Sequence, residues 1–292
     1  MSEGTSLVRA PGSIPTPLPR WEPRRTYSWL VVTGILALIV WSSIGTRSDL
    51  RVFLHGDAWL QIWTFVRSWF PPDLSGDFVR RSLWSGVETI AVSLMGMVLA
   101  ILIALPLGIL SSRTVLTISP VGEPHPASAL LRLLRGLVYW VSTLSLNVLR
   151  SIPEVFWALM FILAAGLGPF AGVLALGVHT GGVLGKLFSE VFENVDAQPI
   201  ETLHATGARA GAVVLYGYLP LALPHLISYT LYRWEVTIRA AAIIGVVGAG
   251  GIGREIYVAI SLFHYQRLAT LLLMTLIVVS LVDYLSAWLR PR

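Results

Sequence analysis

The chain has 292 residues, of which 55% are hydrophobic and only 13% are charged, and its mean hydropathy is +0.72. Soluble domains carry about 25% charged residues, so this composition excludes a soluble protein and predicts an all-α membrane protein with several spans. The net charge of +5 does not indicate a nucleic-acid partner, because the arginines flank apolar runs instead of forming one basic face. The absence of cysteine excludes disulfides, thiolate metal sites and a cysteine nucleophile.

The chain begins with a polar tail and a short apolar run. Residues 1–28 are rich in proline, serine and arginine, which predicts a disordered basic tail in the cytoplasm. Residues 29–41 predict the first transmembrane helix, and the tryptophans at its two ends suit the two membrane interfaces. Because the segment before this run is unusually long for a signal peptide, we expect an uncleaved anchor.

Residues 50–72 are too polar to cross a membrane, although their apolar side chains recur at helical spacing. Trp59, Trp63 and Phe70 belong to this apolar series, with charged residues between them. The pattern predicts an interfacial helix on the outer face of the membrane, ended by two prolines. A helix packed against the bundle would show the same pattern, so both alternatives stay open. We group residues 29–81 as one region that holds the first span and this helix.

Residues 82–292 form the predicted transmembrane domain. One apolar segment, residues 130–166, is too long for a single crossing, because at 1.5 Å per residue it would reach roughly 55 Å against a core of about 30 Å. Pro153 interrupts this segment, so we expect a basic interfacial first half and a crossing in the second half. The sequence predicts spans with both chain termini in the cytoplasm, at residues 29–41, 83–110, 147–165, 171–192, 221–247 and 268–289.

A polar-tolerant stretch, residues 196–220, lies between the fourth and fifth predicted spans. Pro199 suits the first position of a short helix, where its missing N–H costs nothing. This places Glu201 at the third position, near the positive end of the helix. Gly207 then ends the helix by taking a positive φ angle, and a second short run begins at Arg209. The stretch predicts a compact helix–glycine–helix elbow that a soluble partner can grip.

The elbow resembles the loop that defines permease subunits of ABC-type importers. The pattern of that loop is Glu-Ala-Ala, three residues, Gly, nine residues, Ile-x-Leu-Pro. The residues that match it are Glu201, Gly207, Leu219 and Pro220, and those that depart from it are Thr202, Leu203 and Gly217. In that family the elbow is the coupling helix, which docks in a cleft of a cytoplasmic ATPase. The resemblance implies a coupling role for Pro199, Glu201, Thr202, His204, Ala205, Gly207, Ala208 and Arg209.

A longer resemblance covers about residues 70–290. Its stretches, in chain order, are Phe70-Pro-Pro-Asp73, Arg150-Ser-Ile-Pro-Glu154, Gly166-Leu-Gly-Pro-Phe170, His179-Thr-Gly-Gly-Val-Leu-Gly185, Ser228-Tyr-Thr-Leu-Tyr-Arg233, Ile238-Arg-Ala240, Gly248-Ala-Gly-Gly-Ile-Gly253 and Tyr265-Gln-Arg267. Together they resemble the phosphonate-type branch of the ABC importer permeases. The resemblance implies a type I ABC importer transmembrane-domain fold, and the uptake of phosphonate, phosphite, hypophosphite or a related phosphorus oxyanion across a bacterial inner membrane.

The same resemblance implies the partners. Two copies of the chain would pair as a homodimer in membrane lipid, and two cytoplasmic ABC ATPase subunits would grip the two elbows. ATP and Mg²⁺ would be bound by those ATPases, with no cofactor in this chain, and a periplasmic binding protein would deliver the anion. The sequence has no Walker lysine motif in a fitting context, so we expect a permease and not an enzyme.

Residues 248–253 also fit the pattern G-x-G-x-x-G of dinucleotide-binding proteins. That site needs a short strand before the glycines and an acidic residue about 20 residues after them. A full apolar span precedes these glycines instead, so a dinucleotide site is not expected. The glycines predict a tight outer turn that lets two subunits approach at a gate. The predicted gate residues are Gly248, Gly250, Gly251 and Gly253.

Ionisable residues inside the predicted spans are the clearest functional clue, because each one is costly in lipid. The pairs at i, i+4 spacing are Arg150 and Glu154, Lys186 and Glu190, and Glu235 and Arg239, whereas Glu88 and Asp283 have no local partner. Such pairs either neutralise each other and hold the bundle together, or line a path for an oxyanion, to which arginine is well suited. The residues of the predicted path are Arg150, Glu154, Arg233, Glu235 and Arg239.

Two alternatives for function stay open. An ion-coupled secondary carrier for a small anion would use Glu88, Glu154 or Asp283 as its relay and would transport without an ATPase. A membrane-embedded enzyme would need a nucleophile or a metal-ligand cluster, and the sequence shows no Ser-His-Asp set or metal-ligand spacing in a fitting context. His179, in the fourth predicted span, is either a proton relay or a hydrogen-bonded packing histidine.

Overall fold

The computed structural model describes residues 25–46, 56–116 and 129–290, and every regular element in these ranges is helical. The α-helices are α1 Arg25–Gly45, α2 Gly56–Arg67, α3 Gly76–Leu110, α4 Arg113–Leu116, α5 Ala129–Ser151, α6 Glu154–Ala165, α7 Pro169–Glu193, α8 Ala197–Ala205, α9 Ala210–Val213, α10 Leu219–Ile244, α11 Gly251–Ser261 and α12 Tyr265–Leu289. A π-helical turn, Val214–Tyr218, joins α9 to α10, and a 3-10 turn, Gly245–Val247, follows α10.

The N-terminal region differs in part from the prediction. Residues 1–24 of the predicted tail lie outside the described residues, and residues 25–28, which are predicted as its end, belong to α1. The polar helix expected within residues 50–72 is confirmed as α2, Gly56–Arg67. The described residues up to Thr64 form one compact unit, and those from Phe65 onward form another. The boundary at residue 82 therefore stays a prediction.

Five helical stretches of the described residues are long and apolar enough to cross a membrane, where the sequence predicts six. They are Gly76–Leu110, Ala129–Ser151, Pro169–Glu193, Ala210–Val247 and Tyr265–Leu289. The difference lies in α1, whose apolar part, Trp29–Gly45, is among the shorter apolar helices. Four of the five stretches coincide with predicted spans, because long apolar runs with polar ends locate such helices well.

The third predicted span, residues 147–165, is not one continuous helix. In the structure α5 runs unbroken to Ser151 and has the length and composition of a span by itself. The chain leaves the helical conformation at Ile152 and Pro153, and α6 begins at Glu154. Proline lacks the N–H that would continue the helix and disfavours a helical conformation in the residue before it. Pro153 therefore separates two helices instead of kinking one.

Glycines on α7 allow close contact with α3 and α5. A Cβ atom on Gly177 would lie 2.5 Å from Cδ2 of Leu99 on α3. A Cβ atom on Gly182 would lie 2.7 Å from the backbone nitrogen of Arg150 on α5. In lipid, helices associate largely through such van der Waals packing, which small residues permit. The interior helix is therefore α7, and its side chains Leu184 and Phe188 are almost fully buried.

Asp73 ties the start of α3 to the start of α12. Its backbone N–H donates to the carbonyl oxygen of Gln266 at 3.2 Å, and its carboxylate accepts from Arg267 at 3.1 Å. Hydrogen bonds from Ser75, followed by the charge of Arg267, hold the pKa of Asp73 below its usual range. At the other end of the bundle, the backbone N–H of Arg113, just after α3, donates to the carboxylate of Glu193, the last residue of α7, at 2.9 Å. We call this the elbow end, because α8 follows directly.

Replacing Gly182 with alanine tests the close contact between α7 and α5. The added methyl group meets the α5 backbone, and overpacking of this kind costs about 1–3 kcal/mol. We expect Gly182→Ala to lower the midpoint of thermal unfolding in detergent by several degrees. The matched control is Gly136→Ala on α5, where no atom lies within 4 Å of the position that the added methyl group takes, so that the better helix propensity of alanine acts alone. Equal midpoints for the two variants would contradict the packing described.

Candidate functional site

The elbow helix begins earlier in the chain than predicted. The side chain of Asp196 accepts a hydrogen bond from the backbone N–H of Gln198 at 3.1 Å and caps α8, which starts at Ala197. Pro199 is therefore the third residue of the helix and Glu201 the fifth, so the predicted positions of both are wrong. The prediction for Gly207 is confirmed, because α8 ends at Ala205 and Gly207 has a φ angle of +77°.

Two residues that depart from the coupling-loop pattern compensate for each other. A Cβ atom on Gly217 would lie 2.8 Å from Cδ1 of Ile200 and 2.9 Å from Cδ1 of Leu203. The buried Ile200 and the half-buried Leu203 thus pack into the space that a larger side chain at position 217 would fill. The chain has a large residue at 203 and none at 217, where the pattern has alanine and isoleucine. This contact fixes α8 on the π-helical turn that leads into α10.

The remaining elbow residues form a surface at the elbow end. The exposed members of the predicted coupling set are Pro199, Glu201, Thr202, Ala205, Gly207 and Arg209. His204 and Ala208 are half-buried, and Nδ1 of His204 is enclosed without a hydrogen-bond partner among the described residues. The side chain of Glu201 makes no hydrogen bond within the described part of the chain, so it does not cap α8. The elbow is therefore anchored on one face and open on the other.

The charges on α10 pair with α12 and not with each other. Arg239 donates to the Asp283 carboxylate at 2.6 Å, and the Glu235 carboxylate accepts from Arg290 and from the Ser286 hydroxyl, the latter at 2.7 Å. The i, i+4 pairing of Glu235 with Arg239 is therefore wrong, and Asp283 does have a partner. The facing helix offers partners of opposite charge, which sequence spacing on one helix does not reveal. The i, i+4 pair of Lys186 and Glu190 is confirmed, at 3.4 Å.

Arg150 and Glu154 do not pair either, because the chain breaks between them at Ile152 and Pro153. Arg150, which is exposed, donates to the side-chain oxygen of Asn147 at 2.9 and 3.1 Å. The i, i+4 geometry exists only within a continuous helix, and α5 and α6 are separate helices here. Glu154 is therefore free to face α7.

His179 on α7 closes the break between α5 and α6. Its Nδ1 lies 2.9 Å from the carbonyl oxygen of Ile152, and its Nε2 lies 3.4 Å from the carboxylate of Glu154. Because a carbonyl oxygen only accepts, Nδ1 must carry a proton and donate it. In a neutral ring with its proton on Nδ1, Nε2 carries a lone pair that faces the Glu154 carboxylate. A hydrogen bond between Nε2 and the carboxylate therefore needs one further proton, on His179 or on Glu154. The prediction of a hydrogen-bonded histidine is confirmed.

Arg233 on α10 completes a central charge cluster, which we define as Glu154, His179 and Arg233. One turn after the half-buried Arg233, the Thr237 hydroxyl lies 3.4 Å from the hydroxyl of Thr180, the chain neighbour of His179, so this part of α10 faces α7. Nε of Arg233 is enclosed and has no hydrogen-bond partner among the described residues. Of the five predicted path residues, Glu154 contacts His179, and Arg233 lies on the part of α10 that faces the same region of α7. Arg150 lies nearby on α5, and Glu235 and Arg239 pair with α12 and the residue after it. His179 is missing from the predicted path. It is an ionisable residue in an apolar span that also holds Lys186 and Glu190, and this is the signal that could have identified it.

The glycine turn, residues 248–253, lies inside the bundle and not at its end. Gly248, Gly250 and Gly251 have φ angles of +110°, +83° and +67°. The turn contacts Thr89, the fourteenth residue of α3 and roughly 20 Å from its start, because the Thr89 hydroxyl accepts from the backbone N–H of Ile252 at 2.9 Å. The preceding element is a helix and not a strand, which excludes the dinucleotide-binding arrangement.

The glycine turn also contacts the turn between α6 and α7 and the side chain of Glu88 on α3. The backbone N–H of Gly168 donates to the carbonyl oxygen of Gly248 at 3.0 Å. A Cβ atom on Gly250 would lie 2.7 Å from the Glu88 carboxylate, which has no hydrogen-bond or ion-pair partner among the described residues. Only glycines fit this close approach. The gate role of these glycines stays a prediction.

Comparisons with known proteins agree with this architecture. The phosphite transport system permease protein PtxC of Stutzerimonas stutzeri is 36% identical over 90% of this chain and 87% of its own length. The putative cryptic phosphonate transport system permease protein PhnE2 of Escherichia coli K12 is 48% identical over 41% of this chain and 98% of its own length. A chain of the inward-facing MetNI methionine ABC transporter shares the fold, with a TM-score of 0.59 and 22% identity over 73% of this chain and 96% of that chain.

Residues 126–292 match a protein family described as the inner membrane component of binding-protein-dependent transport systems. The match spans more than half of the chain and includes the elbow, the central charge cluster and the glycine turn. The family name agrees with the five span-length helices of the described residues. The chain therefore belongs to the binding-protein-dependent transport system inner membrane component family, and it is a multi-pass inner membrane protein.

Proposed function

We propose that the chain is the transmembrane permease subunit of an ATP-driven ABC importer for phosphite, phosphonate, hypophosphite or a related phosphorus oxyanion. The observation that carries this proposal is the similarity to the phosphite permease of Stutzerimonas stutzeri over 90% of the chain. The elbow supports the importer mechanism, because a short helix fixed to the core on one face and open on the other can transmit force from a soluble partner.

In this proposal two copies of the chain pair around the path, and two cytoplasmic ATPases grip the two elbows. The ATPases bind ATP and Mg²⁺, and a binding protein on the opposite side delivers the anion. Both chain termini lie in the cytoplasm, on the side of the elbow. Closure of the ATPases moves the elbows together, and the anchored Ile200 transmits this motion to α10. The glycine turn, which joins α10 to α11, then changes the outer access.

The central charge cluster is the part of the path that meets the anion. Arg233 supplies a fixed positive charge, and Arg150 supplies a second charge on α5. Glu154 offsets the charge of Arg233, which keeps the anion from binding too tightly to leave. Glu235 and Arg239 hold α10 against α12 and do not line the path. Affinity for the anion then comes mainly from the binding protein.

An ion-coupled carrier is the second candidate, and the 3.4 Å contact between Nε2 of His179 and the Glu154 carboxylate is the observation that favours it. Purification from native membranes separates the two functions. An importer subunit co-purifies with an ATPase and, under gentle conditions, with a binding protein. Recovery of the chain alone from membranes that contain the ATPase would argue for the carrier.

Arg233→Gln tests the path. The variant removes the positive charge, so ATP-driven phosphite uptake by the reconstituted transporter should fall about tenfold or more. This is the effect expected from the loss of one charge-assisted contact. Thermal unfolding of the variant is measured alongside, so that a loss of uptake can be separated from a loss of folding. The control is the double variant Arg239→Gln/Asp283→Asn, which removes a span arginine together with its partner and should retain uptake. Normal uptake by Arg233→Gln would place the path elsewhere.

Exchanging the two compensating residues tests the elbow. Gly217→Ile clashes with Ile200 and Leu203, and Leu203→Ala leaves a gap that costs about 1–2 kcal/mol for a half-buried leucine. Each single variant should reduce the amount of ATPase that co-purifies, and the double variant should restore it. Gly211→Ala is the control and should have no effect, because Gly211 is outside the coupling set and no neighbouring group lies within 4 Å of the added methyl group. A double variant no better than the worse single variant would refute the packing compensation.

A further inference from the structure

A groove of about 360 Å³ lies at the elbow end, between α4 and the first half of α5. Three arginines line it, together with two aromatic side chains on α5. The lining residues that matter here are Arg113, Arg132, Arg135, Gly136, Tyr139 and Trp140. None of them belongs to the elbow surface or to the central charge cluster, so the mechanism proposed above does not use them.

The sequence of α5 produces the groove directly. Arg132, Arg135 and Gly136, and then Tyr139, recur at helical spacing and therefore share one face of the helix. Gly136 leaves a gap in this face, since no atom lies within 4 Å of the position its Cβ would occupy. Next to the face, α5 exposes large apolar side chains, of which Leu133 is 69% and Trp140 is 67% exposed. The groove thus has a basic end and a wide apolar border.

The three arginines of the groove differ in their acidic neighbours. The guanidinium of Arg113 lies 4.9 Å from the centroid of the Tyr139 ring. Glu193 is the acid beside this arginine, and its carboxylate accepts from the backbone N–H of Arg113. Within the described ranges, no carboxylate lies at ion-pair distance from Arg132 or Arg135. Two long basic side chains therefore stand beside an aromatic pair with no acidic partner among the residues that the structure describes.

We propose that this groove binds one anionic phospholipid of the leaflet at the elbow end. The lipid phosphate lies between Arg132 and Arg135, whose planar donors match phosphate oxygens, and the acyl chains follow the exposed apolar face of α5. Basic pockets beside spanning helices favour anionic headgroups, and tryptophan and tyrosine belong at the membrane interface. Free phosphate would leave the apolar border unused, and an acidic soluble protein would not cover exposed leucines within a span. The assignment of this leaflet to the cytoplasmic side rests on the proposed function. The binding of the lipid does not depend on it.

Native mass spectrometry of the purified full-length chain tests the proposal. The protein is released from micelles that contain phosphatidylglycerol and phosphatidylcholine in equal amounts, and the bound lipid is counted. We expect one phosphatidylglycerol retained, with a retention about tenfold lower in Arg132→Gln/Arg135→Gln. The matched control is Arg80→Gln/Arg81→Gln, which removes two exposed arginines near the start of α3 and should retain the lipid. Gly136→Leu, which fills the gap without changing charge, should also reduce retention.

Three results would overturn the proposal. The first is equal retention of the two lipids, and the second is equal loss of phosphatidylglycerol in both double arginine variants. The third is displacement of phosphatidylglycerol by millimolar inorganic phosphate, which would make the groove a site for free anions. Thermal unfolding of each variant confirms that it is folded. Because the readout is bound lipid and not transport, its failure leaves the proposed function untouched.

Discussion

The close approach of α7 to α3 and α5 is the contact on which the rest of the bundle depends. Glycines at positions 177 and 182 bring the helices together at distances that a methyl group would prevent. In a membrane, packing of this kind replaces much of the hydrophobic driving force between helices. It also fixes the height of His179 on α7 against the break between α5 and α6. The position of the functional cluster is thus a consequence of small residues that carry no chemistry themselves.

The break at Pro153 has a structural cost and a functional use. It leaves the carbonyl oxygen of Ile152 without a helical partner, and the ring of His179 satisfies it. The same ring faces Glu154, which in turn acts on Arg233. One local interruption therefore assembles charges from α6, α7 and α10. Arg239 and Glu235 on α10 are instead held by Asp283 and Arg290, so these ion pairs are structural and separate from the cluster.

The sequence predicts local features of this chain well and contacts between helices poorly. The spans at α3, α7 and α12 follow from apolar runs with polar ends, and the end of α8 follows from Gly207. The start of α8 does not, because Asp196 and Pro199 both suit a helix start and only the structure shows which is used. Ion pairs were inferred from i, i+4 spacing, which holds within one helix. Partners on a neighbouring helix, such as Asp283 for Arg239, need the fold to be known.

Uptake by proteoliposomes tests the central claim, that this permease moves phosphorus oxyanions only when coupled to an ATPase. The chain is reconstituted with and without its co-purified ATPase and binding protein, and radiolabelled phosphite uptake is measured with ATP or with a pH gradient alone. The account predicts uptake only when the ATPase, the binding protein and ATP are all present, with no response to the gradient. Uptake by the chain alone, driven by the pH gradient, would contradict it and identify an ion-coupled carrier.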